Sequence, residues 1–366
     1  MSNLEILLNE DKAFYPGSRI MGIIKLTVEK KMSASSIRLY FKGFEKTHFN
    51  LFGPSYYTIP AMSNCKSKDI IFDHKVILWG SDQHSFLSLS SDLDPGVLEF
   101  KFTFILPFVH LPTCMEESCG SIQYYLEAIV HRKVNNLECR RTLIVLDALS
   151  LVPELCVPMQ KQIMIKQRFL LFLQTKISFT CILNKKAFLM NDAIQVTTEI
   201  MNPSTKSING VKIALLRRTT FCGKCIYPYN FTKQKEVVDV IAEKTFPLPL
   251  VRLSVVQSRN TFEFPVRVSQ STIFGNLIKT DYSLQIDLTS EGWPLSSRIN
   301  MPLTICTTTD LGTEAILLPQ LRPLELEYFP SHKDGVLSGP TQHHSLPNIR
   351  TPNLPNRMSA ATVGKN

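Results

Sequence analysis

The most constraining feature of this sequence is an alternation of apolar and polar residues from Leu98 to Leu106. Aromatic or aliphatic side chains occupy every second position, and Glu99, Lys101 and Thr103 lie between them. A period of two places all the apolar side chains on one face of a β-strand, whereas a helix would scatter them. The stretch therefore predicts a strand with one buried face, and we expect Phe102 in a core.

Two prolines come directly after this predicted strand. Pro107 and Pro112 lack the N–H that a ladder needs, so the chain must turn a corner before pairing resumes at Ile122. The order Phe-x-Phe, Leu-Pro, Leu-Pro-Thr and Gly-Ser-Ile-x-Tyr-Tyr-x-x-Ala resembles the signature of the arrestin amino-terminal domain. A chance hairpin would reproduce the alternation but not the Leu-Pro pairs.

A second pattern repeats with an offset of 174 residues. It pairs Ala13 with Ala187, Phe14 with Phe188, Ile20 with Ile194, and Leu26 with Ile200. Two similar β-sandwiches in tandem are the plan that a resemblance to arrestins implies. The predicted fold class is therefore all-β, with two arrestin-like (immunoglobulin-like) β-sandwich domains and a disordered carboxy-terminal tail.

The expected boundaries lie where the patterns weaken. We predict an amino-terminal sandwich at 1–150, a linker at 151–176, a carboxy-terminal sandwich at 177–310 and a disordered tail at 311–366. The linker carries Pro153 and Pro158 without a clear period, and the tail is rich in Pro, Ser and Asn, a composition that buries little apolar surface.

Within the first domain, the sequence from Glu45 to Asp94 is rich in Ser and Asn, with Pro and Gly among them. Its clearest apolar run is Lys75 to Trp79. We interpret this part as mobile loops around one strand.

Nine cysteines form an odd, scattered set. No apolar run of about 18 residues occurs, and the first sixteen residues include acids where a signal peptide would be basic and then apolar. The expectation is a soluble intracellular protein whose cysteines stay as thiols. The resemblance to arrestins implies a location in the cytoplasm and peripherally at the plasma membrane or endosomes.

Cys222 and Cys225 have the one spacing typical of a metal or redox site. A structural zinc site needs four ligands, and no second such pair accompanies them. A thioredoxin-like role needs a βαβ context, which an all-β fold lacks. The favoured interpretation is a loop with two thiols, and a cysteine-dependent redox or metal protein remains an alternative.

Residues 160–186 are basic and contain no acidic residue. Lys161, Lys166 and Arg168 precede the apolar run Phe169 to Leu173, which is typical of a membrane-surface contact. The competing interpretation is a buried strand or linker with solvated lysines.

Residues 211–259 hold nine Lys or Arg against three acids. Arg217, Arg218 and Lys224 are candidate contacts for an acidic or phosphorylated protein tail, or for a lipid headgroup. Nucleic acid is not expected as a partner, because no binding motif or aromatic interleaving accompanies the charge. A solvated face is the alternative.

No phosphate-loop, dinucleotide-loop, nucleophile-elbow or zinc-protease pattern occurs in the sequence. We therefore expect no enzyme activity, no catalytic residue, no metal and no cofactor. The resemblance to arrestin-domain-containing (α-arrestin) proteins implies an adaptor that links cytoplasmic tails of membrane proteins to trafficking machinery. A retromer-type arrestin-fold scaffold is the alternative.

The family often carries Pro-Pro-x-Tyr motifs in the tail, which recruit ubiquitin ligases through WW domains. This sequence has no Pro-Pro pair, which is typical of the motif-lacking branch. Direct binding of a WW domain is therefore not expected.

Overall fold

A computed structural model describes residues 2–53, 61–80, 91–149, 151, 153–169, 173–225, 231–251, 253–290 and 297–307. The expected tail at 311–366 lies outside the described residues. Both sandwiches belong to one compact unit. Among the described residues, no helix has the length and apolar character needed to cross a membrane.

The described part of the first half consists of strands. These are β1 (Asn3–Leu8), β2 (Arg19–Val28), β3 (Met32–Ala34), β4 (Ser36–Gly53), β5 (Ala61–Gly80), β6 (Ser91–Leu93), β7 (Gly96–Ile105), β8 (Met115–Glu117), β9 (Gly120–His131) and β10 (Leu137–Leu143).

The second half begins with a short 3-10 helix, Pro153–Leu155, and continues in strands. These are β11 (Met159–Phe169), β12 (Leu173–Leu183), β13 (Ala187–Leu189), β14 (Ala193–Asn202), β15 (Ile208–Cys225), β16 (Phe231–Val251), β17 (Ser254–Pro265), β18 (Ile273–Phe274), β19 (Ile278–Ser290) and β20 (Ile299–Cys306).

One large sheet runs through both halves of the molecule. Its order is β10-β9-β4-β5-β15-β19-β20-β13, with β8, β16 and β18 attached. The first sandwich is completed by the sheet β1-β2-β7, and the second by the sheet β11-β12-β14-β17. The halves join where β5 pairs with β15, Lys66 opposite Lys224 and Cys65 opposite Cys225. We call this junction, with the loops that contact it, the seam.

Each sandwich has its own apolar core. The alternation that begins at Leu98 forms β7, in which Phe102 is buried and Leu98 is partly buried in the first core. Leu106, directly after this strand, is fully buried. The burial of Phe102 in β7 confirms the prediction that it lies in a core. The core also includes Phe221 and Ile278 from the second half, so apolar packing continues through the seam.

The internal repeat is visible as equivalent structure. Ile20, Leu26, Ile194 and Ile200 are all fully buried. Phe14 forms a parallel bridge to Val145, two residues after β10, and Phe188 pairs in parallel with Ile305 of β20. The same position of each half therefore closes against the end of that half. These matches confirm the all-β prediction of two related sandwiches.

Two expectations differ from the structure. The region 45–94, interpreted as loops around one strand, contains the long hairpin of β4 and β5, whose ladder runs from Ser36–Gly80 to Gly53–Ala61. Several of its inward positions are polar, among them Glu45, Thr47 and Ser67, so the apolar alternation of a half-buried strand is interrupted there. Within the expected linker 151–176, β11 pairs along its whole length with β12 and so belongs to the second sandwich.

The expectation that every cysteine is a thiol is wrong. Cys65 and Cys225 form a disulfide that joins the two sandwiches, with a sequence separation of 160 residues. Cys222 is a free thiol, and both Cys222 and Cys225 lie in β15 rather than in a loop. The signal was absent from the sequence because the partner of Cys225 is remote along the chain.

Candidate partner-binding surface

The six basic residues proposed from the sequence fall in separate places. Lys161, Lys166 and Arg168 lie in β11, and Arg217, Arg218 and Lys224 lie in β15. These two strands belong to different sheets. The six residues therefore do not form one cluster, and each group is considered by itself.

Strand β11 is at the edge of its sheet. In the described part of the chain it pairs with β12 alone, so one side of its backbone has no ladder partner. The Lys161 ammonium donates a hydrogen bond of 3.2 Å to the carbonyl of Asn300. Lys166 is exposed opposite Lys176, and the side chain of Arg168 lies outside the described residues. Exposed Met164 lies two residues before Lys166.

Arg217 points into the molecule. Its side chain is 21% exposed and lies between two carboxylates, with Nη2 at 2.8 Å from Asp239 and 3.3 Å from Glu117. It also donates to the Gln270 side chain. Glu117 belongs to the first sandwich and Arg217 to the second, so this pair is a contact across the seam. Arg217 is thus an internal ion-pair residue and not an open cation.

Arg218 and Lys224 lie on the outward face of β15. Consecutive residues of a strand point to opposite faces, so Arg218 is exposed where Arg217 is half-buried. Its Nε is 3.8 Å from Glu236, which is a loose surface pair. Lys224 is exposed and lies opposite Lys66 of the first sandwich.

A buried carboxylate holds the inner side of the seam. Glu45 of β4 is 1% exposed and accepts the backbone N–H groups of Asn276 (2.9 Å), Leu277 (2.7 Å) and Ile278 (3.0 Å). A Cβ added at Gly275 would come within 2.8 Å of the Glu45 oxygens, so glycine permits this approach. Buried carboxylates require such donors, because desolvation of an unpaired charge is costly.

A second carboxylate, Asp147, is buried at the same boundary. His110 Nδ1 lies 3.3 Å from it, and Thr307 donates to the Asp147 carbonyl. Burial raises the pKa of Asp147, and His110 opposes this shift. Burial likewise raises the pKa of Glu117, against the attraction of Arg217.

These three carboxylates at the boundary between the sandwiches are not predicted by the sequence. Glu45, Glu117 and Asp147 have no local motif, because their partners lie on other segments of the chain. The one available signal was weak: an acidic residue next to exposed Lys46 in a strand, which places Glu45 at an inward position.

The Cys222 and Cys225 pair does not form a site. The two residues are three apart in a strand, so their side chains lie on opposite faces, and Cys225 is already bonded to Cys65. A redox or zinc pair needs both sulfurs on one side. Among the described residues, no group of three or more His, Cys, Asp or Glu could hold a metal ion.

Comparisons with known proteins agree with this architecture. Residues 4–151 match the model of "Arrestin (or S-antigen), N-terminal domain", and residues 174–309 match that of "Arrestin (or S-antigen), C-terminal domain". The chain is 22% identical over 325 residues to human "Arrestin domain-containing protein 5", covering 84% of this chain and 89% of that protein. It is 32% identical over 118 residues to mouse "Arrestin domain-containing protein 4", covering 32% and 28% respectively.

Proposed function

Because the chain belongs to the arrestin-domain-containing family, we propose that it is a non-enzymatic adaptor. It binds cytoplasmic parts of membrane proteins and supports their endocytosis, sorting or signalling. Its other partners are trafficking machinery and an acidic lipid surface, and it acts in the cytoplasm and at the plasma membrane or endosomes. It needs no cofactor, no nucleic acid and no WW domain.

The observation that carries this proposal is the edge strand β11. An extended peptide adds to a sheet edge through main-chain hydrogen bonds, and side-chain contacts then supply specificity. Exposed Lys161 and Lys166 on this strand favour an acidic segment, and exposed Met164 offers an apolar contact. Lysines on an edge strand also prevent aggregation, so the edge must be tested for binding directly.

The test is fluorescence anisotropy with a panel of acidic cytoplasmic-tail peptides. We expect micromolar binding by the wild type and weaker binding by Lys161→Glu/Lys166→Glu. The matched control, Lys101→Glu/Lys133→Glu, makes the same charge change at two other exposed positions and should bind as the wild type does. Equal affinity in all three proteins would remove β11 as the cargo site.

Proximity labelling by the full-length chain in cells tests the adaptor role itself. Membrane proteins and trafficking components should be enriched over a labelling enzyme alone. A labelled set that consists of retromer subunits would favour the scaffold alternative. A set without membrane proteins would contradict the proposal.

A further inference from the structure

Four exposed lysines share one face of the large sheet at the seam. They are Lys46 of β4, Lys66 and Lys68 of β5, and Lys224 of β15, and we call them the seam lysine face. Thr47, Cys65 and Cys225 lie between them in sequence or next to them in register and are buried, so the lysines occupy the outward side. The face therefore spans both sandwiches.

The seam lysine face places like charges directly opposite one another. Lys46 pairs in register with Lys68, and Lys66 lies between His48 on one side and Lys224 on the other. The ammonium groups of Lys46 and Lys68 are 4.3 Å and 5.1 Å from the centre of the same Phe44 ring. Opposed like charges on a sheet do not stabilise a fold, so apart from the two contacts with Phe44 this arrangement adds nothing to folding.

The next lysine along the same face of β4, Lys42, differs because its charge is paired within the protein. Lys42 lies opposite Asp73 and forms an ion pair of 2.9 Å with Glu127, which also binds Arg140 at 2.6 Å. In the part of the chain that the structure describes, the four seam lysines have no such ion pair. Their charge remains available to an anion outside the protein.

The form of the surface indicates which anion fits. At Lys46, β4 lies between β5 and β9, and at the Lys66–Lys224 pair β5 and β15 each have a second neighbour, β4 and β16. At these three lysines no main-chain edge is open to an added peptide strand. A lysine ammonium is a point charge without the fork that arginine offers to a single phosphate. Lysines spread over a sheet instead suit a surface that carries many anionic headgroups.

We propose that the seam lysine face is a docking surface for anionic phospholipid membranes. This inference rests on the proposed function in one respect, because it supplies the membrane contact of an adaptor that meets its cargo there. It differs from the sequence-based candidates, of which it retains Lys224 alone. Arg217 is internal, and the two lysines of β11 lie on another sheet.

The experiment is cosedimentation of the full chain with phosphatidylcholine vesicles that contain phosphatidylserine. Each cation near an anionic bilayer contributes about fivefold to affinity, so Lys66→Ala/Lys224→Ala should bind roughly 25-fold more weakly. The control Lys101→Ala/Lys133→Ala removes the same charge from other exposed positions. Wild-type binding should fall with rising salt and disappear without phosphatidylserine.

The result that supports the proposal is loss in the seam variant with near wild-type binding in the control. Equal binding by all three proteins, or an equal loss in both variants, would overturn it, since the second outcome reports net charge alone. Loss of binding to a soluble acidic peptide with unchanged vesicle binding would also overturn it. Because the vesicles contain no protein, failure here leaves the cargo proposal and its peptide test intact.

Discussion

Strands β5 and β15 carry opposite chemistry on their two faces where they join the sandwiches. Inward, Cys65 and Cys225 are fully buried and bonded to each other. Outward, the adjacent register pair sets Lys66 against Lys224, both of them exposed. The disulfide and the pair of like charges are therefore adjacent positions of the same ladder.

Water explains the difference between the two faces. A buried group such as Glu45 must find its partners inside the protein, because the interior does not solvate charge. Exposed ammonium groups are solvated and screened, so opposing lysines cost little stability. The inner face can therefore hold the sandwiches together while the outer face retains unpaired charge for a partner. Four predictions test this contrast, from the largest expected effect to the smallest.

Glu45→Ala should have the largest effect. The change leaves the backbone N–H groups of residues 276–278, which are part-buried or buried, without their acceptor. We expect a loss of about 3 kcal/mol in the free energy of unfolding. Urea denaturation measures it. The control, Glu99→Ala at an exposed position of β7, should change stability by less than about 0.5 kcal/mol. Similar values for both variants would show that the hydrogen bonds of Glu45 to residues 276–278 do not stabilise the protein.

Cys65→Ala should be next in size. The disulfide closes a long loop, since its cysteines are 160 residues apart, and such cross-links contribute about 2–4 kcal/mol. Urea denaturation without reductant should show this loss, and excess reductant should bring the wild type close to the variant. Cys156→Ala, at an exposed free cysteine, should be neutral. A wild type that is insensitive to reductant would mean that the cross-link does not stabilise the seam.

Two glutamates should give opposite pH dependence. Burial raises the pKa of Glu127, but hydrogen bonds from Arg140 and Lys42 outweigh it and leave that pKa lowered. Its stabilising contribution is therefore present above the ordinary value of 4.5 and is lost as the pH falls through the lowered pKa.

Glu117 has a raised pKa because of burial, so its contribution declines as the pH rises above 4.5. Glu127→Gln should be less stable than the wild type above pH 4.5, and this difference in unfolding free energy should shrink as the pH falls. The stability of Glu117→Gln relative to the wild type should instead increase as the pH rises from 4.5. Unfolding free energies measured across this range check both slopes. Parallel curves for the two variants would contradict the difference in environment.

Sequence reasoning succeeded where the signal is local and failed where it is remote. The alternation around Phe102 and the repeat of Ile20 in Ile194 are short-range patterns of burial, and the structure confirms them. The hairpin of β4 and β5 was missed because polar residues such as Glu45 and Thr47 occupy inward positions and interrupt the apolar alternation. The Cys65–Cys225 disulfide and the hydrogen bonds of Glu45 join segments that are far apart in the chain. A short sequence pattern therefore cannot predict them.

The smallest expected effect carries the most informative sign. Lys66→Glu places a carboxylate between His48 and Lys224 and should raise the free energy of unfolding by about 0.5 kcal/mol. High salt should reduce this gain, because the charges are exposed and therefore screened. Lys42→Glu, on the same face of β4, breaks the ion pair with Glu127 and should destabilise the protein. If both variants lose stability alike, Lys66 has a stabilising partner within the protein. The lysines on the outer face of the seam would then not be free to bind an external anion.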